Sequence, residues 1–342
     1  MFPHRIQAPD QAGLDQQVSA RLEADPQARV IVQFANAEQY DTELLQAIDA
    51  LCARFGQRLN LRFYSHYPGS GFDGRTLSAL PHVQSLSLDC LDQLQHHEIL
   101  GELPQLKDFA LQVISAHLPD LLALPNFRQL QQLRLSQDKG AAIDLAPLAQ
   151  MPELHNLSIS VQSRNLDALA QCPNISVLSL HRMPAKTSLG MVAAMAGLRS
   201  LAVTFGSRDA MPELHHAQLT ELEILRVRGL NQLDLGGFPQ LEILKIEDQA
   251  QLSCLDLAAA PDLRMMRLAN LKALSQLKAL KASSITDLRI INAPALDVLA
   301  LFEQQLPPGL EQLKLLGGKR SLDQQIEARQ LQLGIPVPQG PF

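Results

Sequence analysis

The chain has 342 residues, 46% of them apolar and 19% charged, with a formal net charge of −6. That balance can bury a large core, gives no global attraction for nucleic acid, and contains no apolar run approaching a membrane span. Only 4% of residues are aromatic and Trp is absent, so the core must be built from aliphatics, with leucine dominant.

Cys52, Cys90, Cys172 and Cys254 are widely separated and form no C-x-x-C pair. They encode neither a local zinc site nor a disulfide framework, and a reducing compartment is the simpler expectation. The opening MFPHRIQAPD lacks the basic stretch and apolar run of a signal peptide, so a cytoplasmic location is expected.

Taken in chain order, Val30 to Val32 reads as a strand, Asp41 to Phe55 as a helix and Leu59 to Tyr64 as a second strand. The helix has Asp41 as N-cap, Glu43 in its first turn, an apolar stripe Leu44-Ile48-Leu51-Phe55 and Gly56 just past its end. Arg62, Tyr64 and His66 alternate outward at the end of the second strand, with Tyr67 following. Tyr and Arg are favoured interface anchors, so this trio is a candidate binding patch. Residues 67–75, YPGSGFDGR, read as a loop.

From Val83-Leu86-Leu88 onward the pattern L-x-x-L-x-L recurs with conservative replacements. It passes through Leu154-Leu157-Ile159, Leu198-Leu201-Val203, Leu222-Leu225-Val227, Leu241-Leu244-Ile246, Leu263-Met266-Leu268 and Ile285-Leu288-Ile290, and ends at Leu310-Leu313-Leu315. Eleven such triplets start 19 to 25 residues apart. Alternating aliphatics at that return describe one short half-buried strand per turn, stacked beside the last in a parallel sheet. Strand signal stops near Leu316, and Ser321 to Leu331 reads as a closing helix before a tail with Pro336, Pro338 and Pro341.

These triplets resemble the leucine-rich-repeat family over roughly residues 80–318. The resemblance implies an α/β fold: a right-handed leucine-rich-repeat solenoid with a curved parallel sheet and an N-terminal strand-helix-strand cap. Its divisions are expected at residues 1–78 for the cap, 79–318 for the repeats, and 319–342 for the C-terminal cap helix and Pro-rich tail. The family places Asn or Cys three residues after the last strand leucine. Here that position holds residues such as Asp138, Gln162, Met183, Gly206, Gln249 and Ala293, so no Asn ladder is expected there. Secondary triplets Leu230-Leu233-Leu235, Leu252-Leu255-Leu257 and Leu296-Leu299-Leu301 are similar to irregular bacterial repeats, implying short strands on the convex side.

In each triplet, positions 3, 5 and 7 face away from the core, onto the concave side. Position 5 ends in an expected basic row of Arg226, Lys245, Arg267, Arg289 and Lys314. Like charges on strands about 4.8 Å apart repel by roughly 1 kcal/mol even in water, a cost that suggests a use. Position 3 beside it contributes Val177, Ile224, Ile243 and Met265, and apolar groups flanked by guanidiniums suit the centre of an interface. The expected function is non-enzymatic binding of a protein partner with an acidic surface, as an adaptor or neutralising protein.

Two alternatives stand beside it. Repeats of this family also guide ubiquitin-ligase-type effector enzymes, but these carry a separate Cys-bearing catalytic domain that is not found here. Nucleic-acid binding by the basic row lacks interleaved stacking aromatics. Elsewhere, His96-His97-Glu98 is not H-E-x-x-H, Gly69-Ser70-Gly71 is not G-x-S-x-G, and Asp234 and Asp256 read as caps of convex turns. No catalytic residue, metal site or cofactor is expected, and the oligomeric state is left open.

Overall fold

Alternation of buried aliphatic and outward polar residues gives strands that pair in parallel, in register, one per turn. In a computed structural model, residues 3–66, 71–89, 93–118, 120–303 and 305–338 are described. Tyr67, Gly69, Ser70, Cys90 and Pro341 lie outside the described residues. The chain divides into two units, Met1–Ile175 and Ser176–Phe342.

In the first unit, strands β1 (His4–Gln7), β2 (Val30–Phe34), β3 (Leu59–Tyr64), β4 (Ser85–Asp89), β5 (Asp108–Ala116), β6 (Gln132–Gly140) and β7 (Asn156–Ser160) pair in that order. Their register lays Ile6, Val32, Leu61, Leu86, Phe109, Leu133 and Leu157 side by side, all buried. Helix α1 (Gln11–Ala24) and helix α2 (Thr42–Phe55) connect the first three strands. The Asp41 carboxylate accepts from Leu44 N at 2.8 Å, capping α2 as its sequence implies.

β1 and α1 were not foreseen. The signal for α1 was present: Leu14, Val18 and Leu22 are buried on one face, and Asp10 Oδ1 accepts from Gly13 N at 2.8 Å. Glutamines and small residues around that thin stripe obscure it.

In the second unit, β8 (Val177–His181), β9 (Ser200–Thr204), β10 (Glu221–Leu225), β11 (Ile243–Glu247), β12 (Met265–Ala269), β13 (Asp287–Ile291) and β14 (Gln312–Leu316) repeat the arrangement. Leu178, Leu201, Leu222, Leu244, Met266, Leu288 and Leu313 form its buried ladder. Stacking of successive turns buries the leucines.

Of the secondary triplets, Leu255 lies in a short strand Cys254–Asp256 that pairs with Gln276–Lys278. The one at Leu296–Leu301 instead ends in a single helical turn, Val298–Leu301, because Asp297 caps it by accepting from Ala300 N at 3.0 Å. Helix α3 (Arg320–Leu333) follows β14, buries Ile326, and donates from Gln330 Nε2 to Leu313 O at 2.8 Å. No described helix is long and apolar enough to cross a membrane.

Candidate functional site

The outward strand face of the second unit carries the expected basic row with one substitution. Cα register aligns Glu223, Lys245, Arg267, Arg289 and Lys314. Arg226 is not among them. It lies just beyond β10 with φ of 50° and points to the strand ends, where Nε donates to Asp248 Oδ2 at 2.9 Å. The triplet at this turn is Leu219-Leu222-Ile224, not Leu222-Leu225-Val227, so Ile224, expected outward, is fully buried against Ile246.

Leucines three apart make both phases look acceptable, and the ladder to Leu244 and Ile246 selects one. The misphasing left a trace in the sequence. Starts at Leu198, Leu222 and Leu241 differ by 24 and then 19 residues, whereas Leu198, Leu219 and Leu241 differ by 21 and 22.

Two of the cations on this face are paired with acids of the same face. Lys245 Nζ donates to Glu221 Oε1 across the neighbouring strand. Arg289 donates from Nε and Nη2 to the two carboxylate oxygens of Asp287, at 2.9 and 2.8 Å, in a pair that is almost buried. Among the described residues, Arg267 and Lys314 have no ion pair, and the buried Nε of Arg267 has no hydrogen-bond partner.

Burial pushes the Glu221 carboxyl up, but hydrogen bonds from Lys245 and Ser200 and the charges of Lys245 and Arg267 together hold it below its ordinary value. Glu247 goes the other way: burial raises it, and Asp248 and Glu223 add repulsion. Glu223, Lys245, Ile246, Glu247 and Arg267 line a small cavity of about 180 Å³. The net result is a surplus of negative charge over β10 and β11 and of positive charge over β12 to β14.

The apolar row is also interrupted. Ile243 and Met265 are neighbours and half-buried, but Ser200 and Glu221 separate them from Val177. On the other side of the cation row stand Leu225, Glu247, Ala269, Ile291 and Leu316.

One residue past these strands runs a column of left-handed backbone: Arg182, Phe205, Arg226, Asp248, Asn270 and Asn292, with φ between 50 and 58°. A residue with a Cβ held there costs on the order of 1 kcal/mol, least for Asn and Asp. Asn292 Nδ2 donates to Asn270 Oδ1 and Asn270 Nδ2 to Asp248 Oδ1, each at 2.8 Å. This short ladder sits one residue before the family's usual position, where Gln249 and Ala293 form none. Phe205 and Arg228 drew no notice in the sequence because a left-handed φ and exposure leave no periodic signature.

In the first unit, Arg62 and Tyr64 do face outward together, with the guanidinium 4.8 Å from the ring centroid. Arg62 pairs with Asp89 and donates to Gln33 Oε1 at 2.9 Å, while Tyr64 Oη donates to Gln7 Oε1 at 2.7 Å. His66 departs from this face. Ser65 and His66 adopt φ of 61 and 40°, which turns the imidazole into the core beside Phe63 and Phe72, with Nε2 3.1 Å from Tyr40 Oη. Burial lowers its pKa, although its hydrogen bond to Tyr64 O opposes that.

His96 lies 2.9 Å from Asp73, and His97 4.0 Å from Glu98. Among the described residues no group of three or more His, Cys, Asp or Glu is arranged to hold a metal ion. Asp234 and Asp256 each accept from the backbone N–H two residues on, at 2.8 and 3.0 Å, capping their turns.

No protein-family model matches the sequence, and no curated protein matches it. Among solved structures the chain is similar to an internalin from Listeria monocytogenes, at 17% identity over 73% of each chain and a TM-score of 0.47. It is also similar to a leucine-rich-repeat protein of Leptospira interrogans, at 14% identity over 83% of this chain and 90% of that one, with a TM-score of 0.36. An APL1 leucine-rich-repeat domain shares 16% identity over 90% of this chain and 83% of that one, with a TM-score of 0.44. Parallel strands bearing the triplet once per turn, stacked in both units, make this chain a leucine-rich-repeat protein in fold.

Proposed function

We propose that the chain is a non-enzymatic protein-binding module, an adaptor or neutralising protein, whose outward face over β12 to β14 docks an acidic protein surface. The observation that carries this reading is the in-register run Lys245, Arg267, Arg289 and Lys314, in which Glu221 and Asp287 neutralise two cations and Arg267 and Lys314 stay open to an incoming carboxylate. The half-buried Met265 and Ile291 and the exposed Leu316 flank those two charges with apolar surface, the composition of an interface centre. Glu223 and Glu247 at the other end orient the partner by repelling its acids. A cytoplasmic setting belongs to this reading, supported by the free thiols of Cys52, Cys172 and Cys254.

The test is affinity purification with quantitative mass spectrometry, comparing wild type with the double reversal Arg267→Glu, Lys314→Glu. A stoichiometric protein partner should be retained by the first and lost from the second, with unchanged circular dichroism. Undiminished recovery by the double variant, or recovery of nucleic acid instead, overturns the proposal.

A further inference from the structure

The left-handed column past the strands divides into two halves that use the same backbone position differently. At 248, 270 and 292 it holds Asp and Asn, which tolerate the conformation and knit neighbouring turns together. At 182, 205 and 226 it holds Arg, Phe and Arg, residue types that tolerate that backbone less well than Asn or Asp. Phe205 is 42% exposed, so burial does not offset its conformational cost. Arg226 spans it, with the guanidinium 5.6 Å from the ring centroid and its counter-charge in Asp248.

These three side chains, together with Met183, Pro184 and Arg228, border a shallow depression of about 490 Å³. Arg226 and Arg228 are exposed, and an isolated bridge between Ser207 and Arg228 fixes the Arg228 backbone beside Phe205. An exposed aromatic ring in a fixed setting, ringed by guanidiniums, has the make-up of a binding hot spot.

We propose that this depression docks an acidic segment of a protein partner, which seats an aliphatic side chain on Phe205 and places carboxylates against Arg228 and Arg182. The charge of the lining selects an anionic partner. Phe205 is the depression's single ring, which gives no second platform for successive bases and favours a peptide over single-stranded nucleic acid. The site is distinct from the β12 to β14 face and stands whether or not that face binds anything.

The experiment is fluorescence anisotropy on the full chain with a labelled peptide of alternating glutamate and leucine, a lysine and leucine counterpart, and labelled oligothymidylate. Glycine accepts the Phe205 φ without strain, so Phe205→Gly should melt no lower than wild type while binding the acidic peptide about tenfold more weakly or worse. Arg228→Ala should weaken it similarly, and Lys314→Glu should leave it within about twofold. Absence of saturable binding by wild type overturns the proposal, as does full binding by Phe205→Gly, loss with Lys314→Glu alone, or tighter binding of oligothymidylate. Should Phe205→Gly fold poorly, Phe205→Asn serves in its place with the same criteria.

Discussion

Removing the Asp287 carboxylate tests how the cation row is held together. The Asp287 and Arg289 side chains are only 11% and 7% exposed, and two hydrogen bonds join them. Asp287→Ala strands a desolvated guanidinium between the strands of Arg267 and Lys314, with no acid opposite it in register. Breaking a buried pair from one side costs about 3–5 kcal/mol, and the flanking cations add to the penalty rather than relieve it. Replacing both partners with apolar residues, Asp287→Leu with Arg289→Met, removes the desolvation cost along with the attraction and should lie within about 1 kcal/mol of wild type. The Lys245–Glu221 pair is an internal control: at 31% and 28% exposure it is screened by water, and Glu221→Ala should cost about 1 kcal/mol or less. Urea denaturation of the four chains reads these differences directly. An Asp287→Ala variant within about 1 kcal/mol of wild type, or one less damaged than Glu221→Ala, would refute the reasoning.

Three further outcomes follow from individual residues. The Glu247 carboxyl titrates above its ordinary value of 4.5 in the folded chain, so ionisation opposes folding above that pKa and ceases to matter below the unfolded value. Glu247→Gln should therefore raise the melting temperature at pH 7, with the gain closing as pH falls through the carboxylate range in a calorimetric series. Gly74→Ala would drive a Cβ into the carbonyl oxygen of His96, a backbone atom that cannot swing away, and should cost about 1–3 kcal/mol in the same urea assay. Burial pushes the thiol of Cys52 up to about 12 and that of Cys172 up to about 11, so alkylation mapped by mass spectrometry should label the part-exposed Cys254 first and these two only on unfolding.

What could be read from the sequence depended on how many turns repeat a signal. The stacked strands were legible because each triplet buries the same two positions, and neighbouring turns confirm one another. α2 was legible from Asp41, its apolar stripe and Gly56, which are local and sufficient. Residues whose direction depends on a single turn were not. Arg226 and Ile224 followed from a phase that sequence allowed but cross-strand packing rejects, and His66 was turned inward by two left-handed residues that nothing in the spacing announces. The basic row was readable, and so was Asp287 as an acid on the same face; the pairing of Glu221 with Lys245 was not, because the two lie in different columns and meet only through side-chain reach.

That neutralisation changes what the open strand face can recognise. A row of four unpaired cations would attract any polyanion, with long-range steering and steep salt dependence. Two paired and two open cations, with Glu223 and Glu247 on the strands before them, instead demand a partner whose carboxylates fall opposite Arg267 and Lys314 and avoid those acids. Specificity then comes from the like-charge penalty for misplaced acids as much as from attraction. The Arg182, Phe205 and Arg228 depression lies beyond the strand ends on that acid-rich side, where attraction is confined to guanidiniums around a single ring. A segment bound there needs its acids within reach of the exposed Arg226 and Arg228 beside one ring, which favours a short peptide over a broad charged surface.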